Sequence, residues 1–189
     1  MISRSHKNLI EKIKKSDLSE YKNLENLFHL AQIILQEDEE NKEYCLKISK
    51  FVKEYSKQLV FSKRDTKFDD LYWAVLKFEA PHLFKSFLYY MERNRTPDKR
   101  FFQPREQTLN DVVQDLQDLE DGKIDFYGLS LPPRTGKSTL CIFFLAWVMG
   151  KRPNSHNAMG GHSGILAKGF YNEALNLIAP ADKSEYTFY

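Results

Sequence analysis

Apolar residues recur three and four positions apart over most of this chain. Leu24, Leu27, Phe28, Ala31, Ile34 and Leu35 form one such stripe. Tyr44, Ile48, Phe51, Val52, Tyr55 and Leu59 form another after the acidic break at 37–40. Both match one face of an α-helix. No proline or glycine precedes Pro81, so residues 1–66 read as a helical N-terminal region, a small bundle or hairpin. From Phe68 to Met91 aromatic side chains crowd the sequence, and Pro81 is expected to open a helix carrying Phe84, Phe87, Leu88 and Met91. Stacking on nucleobases is one use for such side chains, but helical spacing favours a core. Leu109, Val112, Val113, Leu116 and Leu119 predict an amphipathic helix over Glu106 to Glu120, stopped by Asp121 and Gly122.

Beyond Gly122 the pattern changes. The apolar run from Ile124 to Leu131 reads as a buried strand ended by Pro132 and Pro133. A short loop follows, then an apolar helix from Leu140 to Met149 that Gly150 and Pro153 close. His156 to Gly161 is a weak strand candidate because of its two glycines, and Ser163 to Ile178 is a further helix with Leu166, Phe170, Ala174, Leu177 and Ile178 on one face. Helix, strand, loop, helix, strand and helix form an α/β alternation. The expected architecture is therefore a P-loop NTPase-type partial parallel sheet, in residues 67–189, preceded by the helical region 1–66.

Charge narrows this little. The 189 residues carry a net charge of +2, with lysine and acid interleaved, as on solvated helix faces. The most basic segment is the turn holding Arg93, Arg95, Lys99, Arg100 and Arg105, either a phosphate-facing element or an ordinary connection. Cys45 and Cys141 lack metal-ligand spacing, and Cys141, inside the apolar helix, is expected as a buried thiol. The N-terminus has no apolar signal segment, and the longest apolar stretch, about ten residues, is too short to span a bilayer. A soluble cytoplasmic protein with no membrane partner is expected.

Candidate chemistry lies in the loop Leu131, Pro132, Pro133, Arg134, Thr135, Gly136, Lys137, Ser138, Thr139. A nucleoside triphosphate bears its charge on oxygens and calls for backbone N–H groups, a mobile cation and a magnesium ligand. A loop entering a helix supplies the amides, and the positive end of the helix favours phosphate. Gly136 permits close backbone approach. Lys137 is placed to reach the β- and γ-phosphates, Ser138 to offer its hydroxyl to Mg2+, and Thr139 to bond the α-phosphate. The match to G-x-x-x-x-G-K-[ST] is degenerate, because Leu131 stands at the first glycine. A glycine turn between two elements would not by itself call for a lysine and two hydroxyls in a row.

Residues 131–139 resemble the Walker A segment of the large terminase subunits of tailed bacteriophages, ATP-driven motors that package DNA into proheads. Members of that family often replace the first glycine and carry an arginine within the loop, the position of Arg134. The segment 155–170 is similar to the family's next strand and helix, and Phe102 to Gln107 to the region contributing adenine contacts. The resemblance covers roughly residues 80–180. It implies Lys137 and Arg134 as catalytic residues, and Pro133, Arg134, Thr135, Gly136, Lys137, Ser138, Thr139 and Gln107 as ATP contacts. Ser138 would be the metal ligand, and ATP and Mg2+ the cofactors. Arg134 would either couple γ-phosphate hydrolysis to movement or serve as a plain phosphate anchor. The implied partners of the whole protein are double-stranded DNA, the portal protein and the small terminase subunit.

After Ser138 the acids are Glu173, Asp182 and Glu185. The apolar run Leu177 to Asp182 contains Pro180 and is followed by Lys183, so it does not read as a strand ending in the Asp-Glu pair of an ATPase, nor is there a nuclease aspartate cluster. The chain thus reads as the front of a terminase ending before Walker B, as an engineered truncation, a degraded prophage gene or an early stop would leave it. An ATPase in its complete form would here bind nucleotide without steady-state turnover, and an open sheet edge would favour self-association. Two alternatives stand beside this: another P-loop motor, such as a helicase-like or defence ATPase, and a non-catalytic prophage-derived interaction module.

Overall fold

The computed structural model describes residues 3–178, and among these the chain is helical, with no strand. Two compact units meet in sequence between Glu79 and Ala80.

The first unit holds four helices, α1 (Arg4–Lys14), α2 (Tyr21–Glu37), α3 (Lys42–Lys63) and α4 (Thr66–Glu79). Its core takes Ile10 from α1, Leu24, Leu27, Phe28, Ala31 and Ile34 from α2, Cys45, Ile48 and Val52 from α3, and Phe68, Leu71 and Val75 from α4. The α2 stripe is thus buried as its spacing predicts, except that Leu35 is only half-buried. On α3 the buried face is rotated toward Cys45, Ser49, Val52 and Ser56, leaving Tyr44, Phe51 and Tyr55 at its margin. Without proline or glycine, the breaks are made by short polar side chains. The Asp17 carboxylate accepts from Ser19 N–H (2.9 Å), Asp38 from Glu40 N–H (3.0 Å) and Asp65 from Lys67 N–H (3.0 Å). Arg64, at φ 52°, ends α3 in the left-handed conformation usually taken by glycine. The fully buried Glu79 accepts from Ser49 Oγ (2.8 Å) and from Lys53 Nζ.

The second unit holds α5 (Phe84–Met91), α6 (Glu106–Glu120), α7 (Lys137–Lys151) and α8 (Gly164–Ile178), with 3-10 turns at Pro97–Lys99 and Gln103–Arg105. Pro81 lies three residues before α5 rather than opening it. Helices α5 and α6 run antiparallel: Gln117 near the end of α6 accepts from Phe84 N–H (2.8 Å), while Glu106 at its start takes Tyr89 Oη and Lys85 Nζ. Helix α6 ends in a Schellman motif, with Gly122 at φ 71° donating to Leu119 O and Lys123 N–H donating to Asp118 O. Helix α7 buries Leu140, Ile142, Phe143, Ala146 and Trp147. Trp147 Nε1 donates to Ala80 O (2.8 Å), and Phe84 lies against its ring at 5.2 Å between centroids.

The expected parallel sheet is not formed. Residues 124–131 are coil with half-buried and exposed side chains, Phe126 being 85% exposed, and residues 156–161 are exposed coil as well. A strand needs a neighbour to satisfy its N–H and C=O groups. The segment that was to supply it carries Gly160 and Gly161, which depress strand formation. Among the described residues the α/β expectation therefore gives way to an all-helical arrangement. Cys141 is exposed rather than buried, because α7 is covered along one side of its apolar surface. Asp182 and Glu185 lie outside the described residues. No helix of the described residues is long and apolar enough to cross a membrane.

Candidate functional site

The loop 131–136 is held by its own side chains. Thr135 Oγ1 donates to Pro132 O (2.8 Å), and Lys137 Nζ donates to Leu131 O (2.5 Å). Two residues adopt left-handed backbone conformations, Arg134 at φ 65° and Gly136 at φ 91°. For glycine this is free. For arginine it stores strain of roughly 1 kcal/mol, and unlike Arg64 the arginine here ends no helix. The turn it makes is followed at once by α7.

Gly136 is the N-cap of α7, and among the described residues no side-chain cap bonds that first turn. Its own carbonyl accepts from Leu140 N–H (2.8 Å). The amides that open α7 point out of the helix beside Lys137, Ser138 and Thr139, where the dipole favours an anion. Pro133, Arg134 and Ser138 are exposed, while Thr135, Gly136, Lys137 and Thr139 are half-buried.

The basic turn packs against this loop. A Cβ on Gly136 would meet Phe101 Cδ2 at 3.5 Å, and the Phe101 ring lies 4.8 Å from that of Phe143 on α7. The Arg95 guanidinium sits 4.9 Å above Phe143. Arg100 Nε donates to Arg95 O (3.0 Å) and its Nη1 to Gln103 Oε1 (3.3 Å). Arg105 Nη1 donates to Phe101 O (3.1 Å), one residue before α6 begins. Gln107 is exposed on the first turn of α6. The adjacent coil is tied to the middle of α6: burial first, then a hydrogen bond to Asp115, pushes the Tyr127 hydroxyl up to about 12.

Sequence patterns alone do not place Phe101 and Phe143 in this arrangement. One signal was visible, the aromatic pair Phe101 and Phe102 inside an otherwise polar turn. The donor set bears on magnesium. No group of three His, Cys, Asp or Glu side chains is placed to hold a metal among the described residues. Mg2+ fits such a loop only in company with phosphate oxygens and water, Ser138 adding its hydroxyl.

No protein-family model, curated protein or solved structure matches the chain.

Proposed function

We propose that this chain binds ATP with Mg2+ at Leu131–Thr139, as the N-terminal part of a phage DNA-packaging terminase large subunit. One observation carries the binding reading: a left-handed Gly136 delivers the chain into α7 with its first-turn amides uncapped and Lys137 beside them. Lys137 would exchange the Leu131 carbonyl for β- and γ-phosphate oxygens. The Ser138 hydroxyl would complete the magnesium shell, and the Thr139 hydroxyl would meet the α-phosphate. Arg134, exposed in the loop, suits the γ-phosphate. The terminase reading rests on the resemblance of residues 131–139 and 102–107. In the complete protein, ATP hydrolysis would drive translocation of double-stranded DNA, with the portal protein and small terminase subunit as partners.

A second reading, a non-catalytic interaction module, is favoured by the apolar side chains that the second unit leaves exposed, among them Phe126, Ile165, Tyr171 and Leu175.

Equilibrium dialysis with labelled ATP separates the two. Binding that needs Mg2+, exceeds that of AMP and proceeds without steady-state phosphate release is expected. No retention at about millimolar nucleotide would favour the interaction module instead.

A further inference from the structure

We propose that Glu92 is a positioning residue for the nucleotide site, its carboxylate fixing the turn that carries the base-side arm. The proposal rests on the reading of Leu131–Thr139 as a triphosphate loop and of Gln107 as the contact for the base.

Glu92 caps the C-terminus of α5 and is fully buried. Its carboxylate accepts from three consecutive backbone N–H groups. Phe101 and Phe102 donate to Oε1 (2.7 Å each), and Gln103 donates to Oε2 (3.0 Å). Three successive amides on one rigid anion leave that stretch of backbone a single placement, and the charge-assisted bonds offset the burial of the carboxylate. The intervening residues, 93–100, are closed into a loop whose ends cannot drift apart.

Two things ride on this placement. Phe101 is set with its ring on Phe143 and beside Gly136, so the turn and the phosphate loop share a contact. Phe102 is set edge-on to Tyr89 of α5 (5.5 Å), and Arg105 bonds back to Phe101 O, which fixes where α6 starts and so where Gln107 projects. Arg95, inside the loop so closed, lies over Phe143. A buried anion is a costly way to close a plain surface turn, and this one lies where the basic segment meets the loop. The phosphates would be held by α7 and the loop, and the base by the arm that Glu92 places. Glutamine in its stead keeps the shape but turns an NH2 toward a backbone N–H, so all three bonds cannot be kept.

Calorimetric titration with MgATP and with magnesium tripolyphosphate, on the wild-type chain and Glu92→Gln, tests this. In Glu92→Gln, ATP binding is expected to weaken by about tenfold or more and tripolyphosphate binding to stay within about twofold. Amide hydrogen exchange should quicken at residues 101–103 and hold in α7. Equal loss of both ligands, or loss of neither, overturns the proposal while leaving the triphosphate reading intact. If Glu92→Gln does not fold, Glu92→Asp carries the same expectation, since it keeps the charge while its shorter side chain cannot reach all three amides. A wild-type chain that binds neither ligand overturns the triphosphate reading, and this proposal with it.

Discussion

The ring of Phe101 lies against Gly136, 3.5 Å from where a Cβ would stand. That separation is ordinary van der Waals contact, so space does not demand glycine there. The backbone does, because φ is 91°.

Gly136→Ala should therefore cost about 1–2 kcal/mol of stability through backbone strain alone. Gly122, at φ 71° with open space around it, makes the matched control. Gly122→Ala is expected to cost a similar amount while leaving nucleotide affinity unchanged, whereas Gly136→Ala lowers both. Denaturant midpoints and ATP titrations on the two variants check this; equal affinities would show that the turn before α7 takes no part in binding.

Glu79 joins α3 and α4 through Ser49 and Lys53 from a fully buried position. Removing its carboxylate takes the buried anion away from Lys53 and leaves the Ser49 hydroxyl with the Leu46 carbonyl. Glu79→Ala should destabilise the first unit by roughly 3 kcal/mol. Glu79→Gln, which can still accept from Ser49, should cost less. Urea unfolding followed by circular dichroism measures both, and a change below about 1 kcal/mol for Glu79→Ala would contradict the account.

Two tyrosines should ionise late. Burial first, then the hydrogen bond from its hydroxyl to Glu25, pushes Tyr21 up to about 12, and Tyr127 is pushed as far by burial and Asp115. A phenol whose folded pKa is raised contributes stability that is complete below its unfolded value of about 10 and lost as pH rises through the folded one. The stability gap between wild type and the Tyr21→Phe, Tyr127→Phe double variant should therefore narrow between pH 10 and 12, about the ordinary and shifted values. Tyrosinate absorbance should show a smaller late phase in the double variant. An unchanged late phase would rule these two residues out.

Helices were legible wherever an apolar stripe ended in a local stop signal. Leu109, Val112, Val113 and Leu116 are buried as spaced, and Gly122 ends α6 as glycine often does. Breaks made by Asp17, Asp38 and Asp65 were less visible, since aspartate marks a turn only when its carboxylate finds an amide two residues on. The strand reading of 124–131 failed for a non-local reason. An apolar run becomes a strand only if another segment pairs with it, and residues 156–161 do not. At the candidate site the turn at Gly136 and the helix that follows it were legible from the glycine and the apolar run behind it. The contacts of Phe101 and Glu92 were not, because they join residues that lie 9 to 11 positions apart in the chain or on separate elements.

On the triphosphate reading, Lys137 leaves the Leu131 carbonyl to meet the phosphates. Isothermal calorimetry of MgATP with the wild-type chain and Lys137→Ala tests it most directly. Saturable binding to the wild type is expected, with a loss of about a hundredfold or more in affinity in the variant and its helical content retained. Equal affinities for the two proteins, or no binding heat from the wild type, would contradict it.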